Sequence, residues 1–226
     1  MGIKILPDTT KNPLSLMGQV AGVCWGVKDS SIEADIKRAK DCIKSGHGRV
    51  QEWVNVDCVV SGFSAKMMRE AMRHIVGTSV LQASTRYIDY SKQFQTIIPK
   101  KVRENEEAIG IWAKTVQSIH EGMTALKKLG IPTEDFTNVL PLAYESKMVW
   151  KINLRSLANF YNLRLCNRAY WEIRDFAAQL RQKLYDYSEE WAEVCDMLLI
   201  PKCKQYGYCN ETKSCGMMPK KEEVLG

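Results

Sequence analysis

Residues 153–164 read NLRSLANFYNLR, a segment that combines a helical apolar pattern with a small set of polar side chains. We predict a helix over 153–163, with its polar residues set among leucine, alanine, phenylalanine and tyrosine. Polar groups placed so selectively on an apolar helix indicate that the segment binds a ligand. The alternative is that its arginines are ordinary solvated charges of a helix surface. The polar residues concerned are Asn153, Arg155, Asn159 and Arg164.

A second informative segment, residues 69–87, reads REAMRHIVGTSVLQASTRY. We predict a helix over 64–77 in which Arg69 and Arg73, four positions apart, project from one face. The segment continues into a short polar loop that ends in Ser84, Thr85 and Arg86. Positive charge beside hydroxyl and backbone N–H groups suits a phosphate, so the segment predicts a phosphate-binding site. A solvated cationic helix face is again the alternative.

The rest of the chain consists mainly of helical patterns and predicts an α+β fold, a single domain with a sheet flanked by several helices. Valines in alternation predict a strand over 50–61. Ser30 is the expected N-cap of a helix over 32–45. Further helices are predicted over 102–129 and 168–185, and a second strand over 147–152. Residues 188–199 are expected to close the core.

The composition limits the classes of partner. The chain has 226 residues, enough for one well-buried domain, and 45% of them are hydrophobic. A formal net charge of +6 suits anionic small molecules and is too small to demand a nucleic-acid polymer. No apolar run approaches the roughly 20 residues of a membrane-spanning helix, and the N-terminus lacks the apolar core of a signal peptide. We therefore expect a cytoplasmic protein with no membrane partner.

Together, the two segments resemble the flavin-dependent thymidylate synthases. That family has an Asn-x-Arg-Ser-Leu…Asn-Phe…Asn-Leu-Arg helix followed by Gln-Trp-Glu-Ile, and here residues 153–164 are followed by YWEI at 170–173. The family also has Arg-His-Arg and then, after a fixed gap, Ser-x-Arg-Tyr. Here Ile75 replaces the second arginine, and the gap before Ser84 is one residue longer. The resemblance spans residues 12–193 and identifies a divergent member.

This resemblance implies a fold and an activity. The fold would be that of the family, with a sheet flanked by helices and assembly as a homotetramer whose active sites are shared between subunits. The enzyme would be an FAD-dependent methyltransferase that converts dUMP to dTMP. Methylenetetrahydrofolate would supply the carbon and NADPH the electrons as co-substrates, with hydride delivered through FAD. We place this catalytic domain at residues 1–200.

The resemblance also assigns roles to individual residues. Arg164 would be the catalytic residue, placed against the uracil edge, where a permanent charge favours ionisation at N3. Its alternative role is to satisfy the last carbonyl groups of its helix. The implied substrate-binding residues are Arg69, Arg73, Ser84, Thr85, Arg86 and Arg164. The implied cofactor-binding residues are Arg73, His74, Gln82, Asn153, Arg155 and Asn159.

A cysteine-containing tail, residues 201–226, lies beyond the resemblance. Cys203, Cys209 and Cys215 follow one another at intervals of six, which is not the usual spacing of a zinc or iron–sulfur site. Most cysteines of the chain are expected to be reduced core residues. In the tail we favour small loop-stapling contacts or redox-active thiols and no metal, with metal binding as the less favoured alternative.

Two other functions remain open at this point. A relative with the same fold could hydroxymethylate a pyrimidine nucleotide, since the 73–87 motif departs from the family pattern. A non-enzymatic nucleotide- or RNA-binding protein would instead be colourless and bind polymers with a steep dependence on salt.

Overall fold

The computed structural model describes residues 2–226 and contains a four-stranded sheet with strand order β1-β2-β4-β3. The strands are β1 (Gly2–Ile5), β2 (Asn55–Ser64), β3 (Thr78–Gln82) and β4 (Glu145–Asn153). The main helices are α1 (Pro13–Cys24), α2 (Ile32–Lys44), α3 (Ala65–Met72), α4 (Lys100–Arg103), α5 (Glu106–Lys128), α6 (Thr133–Phe136), α7 (Leu154–Arg164), α8 (Trp171–Tyr185), α9 (Glu189–Met197), α10 (Lys202–Tyr206) and α11 (Lys221–Leu225). The predicted α+β class is confirmed.

The strand predicted from the valine pattern exists, but its bounds differ. Residues Gly48–Trp53 form a 3₁₀ helix, so β2 begins at Asn55 rather than at position 50. The predicted inward face is correct, because all its members are fully buried. They are Val54, Val56, Cys58 and Val60. Segment 78–82, which we expected to be part of a loop, is the edge strand β3.

Helix α3 is shorter than predicted. Ser64 caps it, since the Met67 backbone N–H donates to Ser64 Oγ at 3.1 Å. The helix ends at Met72, not at Gly77, so Arg73 lies in the connection to β3. The prediction that Arg69 and Arg73 share a helix face is therefore wrong.

Serine caps begin several helices. Ser31, rather than the expected Ser30, caps α2, because its hydroxyl accepts from the Ala34 N–H at 3.2 Å. Ser188 likewise caps α9 by accepting from the Trp191 N–H at 3.2 Å. Each cap satisfies a backbone donor that the helix itself leaves without a partner.

The chain divides into two compact units. The first comprises Val60–Glu70 and Leu81–Met148, together with Gly2. Its core joins α3, α5 and α6, and the Tyr90 and Tyr144 rings meet edge to face with their centroids 5.4 Å apart. Met123 is the buried residue of α5, whereas Ile111 of the same helix is 59% exposed.

The second unit comprises Ile3–Val59, Ala71–Val80 and Val149–Gly226. Its core is aromatic: Phe160 contacts both Trp150 and Phe176, with ring centroids 5.3 and 5.9 Å apart. All three side chains are fully buried. Tyr161 is also buried and donates from its hydroxyl to the Ala177 carbonyl at 3.0 Å. Burial raises the pKa of Tyr161 well above its ordinary value, so it stays a neutral donor. This core holds α7 in place.

Between Gly2 and Gly226, none of the helices combines the length and the apolar character required to cross a membrane.

Candidate functional site

Helix α7 presents one apolar and one polar face because of its sequence pattern. Leu154, Leu157 and Phe160 are fully buried, whereas Arg155 and Asn159 are exposed. These positions follow the three- and four-residue spacing of a helix. The polar groups predicted from the sequence to bind a ligand therefore lie together on the face directed away from the core.

The start of α7 is fixed by a capping side chain. Asn153 Oδ1 accepts a hydrogen bond from the Ser156 backbone N–H at 2.9 Å. The side-chain oxygen of Asn153, a predicted cofactor-binding residue, thus already accepts a hydrogen bond from the helix backbone. Its ligand-binding role stays a prediction, and within that role the amide nitrogen Nδ2 is the group available as a donor.

A cleft of about 900 Å³ opens beside the polar face of α7 in the second unit. This volume is at the upper end of the range for small-molecule sites. The structure brings together here the predicted residues Arg73, His74, Asn153, Arg155, Asn159 and Arg164, with Glu52, Ile75, Val76, Gly77, Ser156 and Leu163 completing the lining. Residues 73–77 and 153–164, two distant parts of the sequence, thus form one concave surface together with Glu52.

Gly77 allows these two parts of the chain to approach closely. Its φ is +64°, and a Cβ at this position would lie only 2.2 Å from Asn153 Nδ2 and 2.6 Å from Ser156 Oγ. The Gly77 carbonyl accepts from the Asn153 N–H at 2.9 Å. Both the backbone conformation and the contact require glycine.

Arg164 and His74 meet at the C-terminal end of α7. The Arg164 Nε–H donates to His74 Nε2 at 3.0 Å, and the His74 ring contacts the Phe160 ring edge to face with centroids 5.0 Å apart. The Thr78 hydroxyl donates to the His74 carbonyl at 2.7 Å. The backbone and the ring of His74 are therefore both fixed. The ring in turn positions the Arg164 guanidinium.

Glu52 is a cleft residue that the sequence analysis missed. Its carboxylate accepts from Arg155 Nη1 at 2.6 Å and lies 3.5 Å from Arg49 Nη1. The Arg155 guanidinium, as the main cause, holds the pKa of the Glu52 carboxyl below its usual range. The signal in the sequence is a single carboxylate in the segment HGRVQEW, residues 47–53.

The predicted phosphate-binding loop lies in the first unit, and its residues do not line the cleft. Ser84 Oγ accepts from the Arg86 N–H at 3.2 Å, a contact that shapes the turn. Arg86 Nε donates to Glu134 Oε2 at 2.7 Å. The Thr85 carbonyl accepts from Thr137 Oγ1 at 3.0 Å.

Two other predicted residues also belong to the first unit. Gln82 Nε2 donates to Ser146 Oγ at 3.0 Å. Arg69 is exposed on α3 and is not part of the cleft lining. The ligand roles of both residues stay predictions.

The tail cysteines line a separate small cavity of about 110 Å³, together with Cys166. Asn167 Nδ2 donates to Cys215 Sγ at 3.6 Å, and burial raises the pKa of Cys203. Over residues 2–226, no three histidine, cysteine or acidic side chains are arranged to hold a metal ion. All the cysteines are free thiols in this structure.

Comparison with known proteins identifies the family. The sequence model of the family described as thymidylate synthase complementing protein matches residues 5–188. The chain belongs to this family. The match includes the whole of α7 and the connection that carries Arg73 and His74.

Curated proteins similar to this chain match most of its length. A flavin-dependent thymidylate synthase from Pyrococcus abyssi is 30% identical over 222 residues, covering 91% of this chain and 88% of that protein. One from Thermococcus onnurineus is 31% identical over 233 residues, covering 93% and 90%. The fold also matches a solved structure of ThyX from Helicobacter pylori complexed with FAD and dUMP, with a TM-score of 0.67 and 21% identity over 86% of this chain and 99% of that one.

Proposed function

We propose that this protein is a flavin-dependent thymidylate synthase, an FAD-dependent methyltransferase that converts dUMP to dTMP. The observation that carries this proposal is the cleft beside α7, where Arg164, Arg155 and Asn159 meet Arg73 and His74. The family membership and the names of the curated relatives support it. Methylenetetrahydrofolate is the proposed carbon donor and NADPH the proposed reductant.

The cleft residues fit a flavin. An isoalloxazine edge alternates hydrogen-bond donors and acceptors, and asparagine amides such as Asn159 provide both kinds of group. The flavin diphosphate needs positive charge, which Arg73 and Arg155 are proposed to supply. Arg155 is paired with Glu52, but its side chain is 56% exposed, so a phosphate can compete with this carboxylate. Gly77 has no side chain, so the cleft wall at this position consists of backbone. When bound, FAD supplies hydride chemistry that no amino-acid side chain can provide.

Arg164 provides the electrostatic part of the proposed reaction. A guanidinium is a cation that presents a planar set of donors. Placed against the pyrimidine edge, it stabilises negative charge on the ring, as the resemblance implies for N3. Such a preorganised charge needs no reorganisation during the reaction.

We propose that Ser84, Thr85 and Arg86 bind the phosphate and sugar oxygens of dUMP. Arg86 is paired with Glu134, but both side chains are more than half exposed. Exposed ion pairs contribute about 0–1 kcal/mol, so a phosphate dianion can compete with this carboxylate. Arg69 and Arg73 are the further cations proposed for the nucleotide.

A cysteine nucleophile is not part of this proposal. No cysteine belongs to the cleft lining among residues 2–226. Burial raises the pKa of Cys58 and of Cys195 to about 12 each, which keeps both as unreactive thiols. Activation of the pyrimidine therefore rests on charge rather than on covalent addition.

We further propose that the chain assembles as a cytoplasmic homotetramer with shared active sites. This follows from the family resemblance. In the first unit, α5 exposes apolar side chains such as Ile111, and a groove of about 300 Å³ beside it is lined by Val116, Ile119 and Pro141. Such a surface is consistent with burial in an assembly.

The test is the spectrum and the product of the purified protein. We expect a yellow protein with non-covalent FAD that converts dUMP to dTMP when methylenetetrahydrofolate and NADPH are present. Mass spectrometry of the product separates methylation from hydroxymethylation. A colourless protein that cannot be reconstituted with FAD would contradict the proposal.

A further inference from the structure

The hydrogen bond between Arg164 and His74 determines the protonation state of the histidine. Nε2 of His74 accepts from Arg164 Nε–H at 3.0 Å. An imidazole nitrogen that accepts a hydrogen bond carries no proton. In this arrangement the ring is therefore neutral, with its proton on Nδ1. A neutral imidazole adds no negative charge beside the guanidinium that it holds.

The position of His74 is determined by the core of the second unit. Its ring contacts Phe160, whose own ring packs against Trp150 and Phe176. Its backbone is held through the Thr78 hydroxyl and through its own N–H, which donates to the Ala71 carbonyl at 3.1 Å. A rigid aromatic cluster thus connects to the histidine, and the histidine connects to Arg164.

Arginine side chains have many rotamers, and immobilising one on ligand binding lowers affinity. A partner that already holds the Nε edge removes much of that entropy loss before the ligand arrives. The two Nη groups of a guanidinium are still available when its Nε–H is held, and together they form the pair of parallel donors that recognises planar anions.

We propose that His74 is a positioning residue for Arg164: its Nε2 accepts from the arginine and fixes the guanidinium in the cleft for the pyrimidine of dUMP. This role differs from direct flavin contact, and it rests on the proposed function for the identity of the ligand. It predicts that the effect of His74 on dUMP is transmitted entirely through Arg164.

The first experiment reads the tautomer directly. The chain has three histidines, so ¹⁵N NMR of imidazole-labelled protein, assigned with the His47→Gln and His120→Gln variants, resolves each ring. We expect His74 to be protonated at Nδ1 and bare at Nε2 at neutral pH. An Nε2-protonated or cationic His74 would overturn the inference. The tautomer is read on the wild-type protein, and the two variants that assign the signals change residues outside the cleft lining.

The second experiment is a double-mutant cycle on the FAD-loaded protein. His74→Phe keeps a ring against Phe160 but has no acceptor, whereas His74→Gln retains an acceptor oxygen near the position of Nε2. We expect dUMP affinity, measured by isothermal titration, to fall about 10- to 100-fold in His74→Phe and by no more than about 3-fold in His74→Gln. In an Arg164→Ala background, neither substitution should change dUMP affinity further.

The outcomes separate the inference from the proposed function. If wild-type protein binds neither FAD nor dUMP, the proposed function itself is wrong. If wild type binds both, and His74→Phe binds dUMP as well as wild type does, the positioning role is refuted. An equal loss of affinity in the Arg164→Ala background would also refute it, because His74 would then act on the ligand independently. FAD affinity measured alongside reports any direct flavin contact.

Discussion

Arg164 and Arg86 have the same guanidinium and comparable predicted roles, yet their surroundings differ. Arg164 lines the cleft beside α7, and its Nε–H donates to the His74 ring. The side chain of Arg86 is 65% exposed, and its Nε–H is held by the carboxylate of Glu134. A ring nitrogen that accepts a hydrogen bond orients an arginine without offsetting its charge. A carboxylate partner compensates that charge and must be exchanged when a phosphate binds.

The support beneath each arginine differs as well, and removing it gives the largest expected effect. Phe160 is fully buried beneath His74 in the second unit. We expect Phe160→Ala to lower the free energy of unfolding by about 3–5 kcal/mol, because it removes an aromatic ring and leaves a cavity. Urea denaturation followed by circular dichroism measures this.

A matched control for Phe160→Ala is Phe94→Ala in the first unit, whose ring is only partly buried against its core cluster. We expect Phe94→Ala to lower the free energy of unfolding by less than half as much as Phe160→Ala does. Equal losses from the two substitutions would show that the α7 cleft does not rest on a specially rigid core.

The arginines themselves provide the next test. We expect Arg164→Ala and Arg86→Ala each to lower kcat/KM for dUMP about 30- to 1000-fold, the equivalent of roughly 2–4 kcal/mol for a charge-assisted contact. For Arg164→Ala the loss should appear mainly in kcat, since its charge acts on the reacting ring. For Arg86→Ala it should appear mainly in KM, since phosphate binding is retained throughout the reaction. If Arg164→Ala changed mainly KM and Arg86→Ala mainly kcat, the roles proposed for the two arginines would have to be exchanged.

The smallest expected effect concerns the partner of Arg86. Glu134→Gln removes the charge that competes with the phosphate, so we expect KM for dUMP to fall about 2- to 5-fold, in keeping with the value of under about 1 kcal/mol for an exposed ion pair. Glu104→Gln removes another carboxylate that is more than half exposed, paired with Lys100, and should leave KM unchanged. A rise in KM for Glu134→Gln would mean that this carboxylate positions Arg86 rather than competing for it.

Sequence patterns predicted the elements that depend on local interactions. The helix after Asn153 was expected, and the structure adds that the Asn153 side chain caps it. The valine alternation correctly gave the buried face of β2. In contrast, β3 was mistaken for loop because Ser79 and Leu81 are exposed and its pairing partner is β4, far away in the sequence. Because the strand was not recognised, the helix predicted before it extended to residue 77 and included Arg73.

What the sequence by itself determined was therefore local structure, family membership and the list of polar residues on α7. Only the tertiary structure decided which of these residues meet. Arg164 binds His74 across a separation of 90 residues, and Arg155 binds Glu52 across 103. The physical reason is that caps and periodicity act within a few residues, whereas these contacts depend on how distant segments pack and on Gly77, which lets them approach.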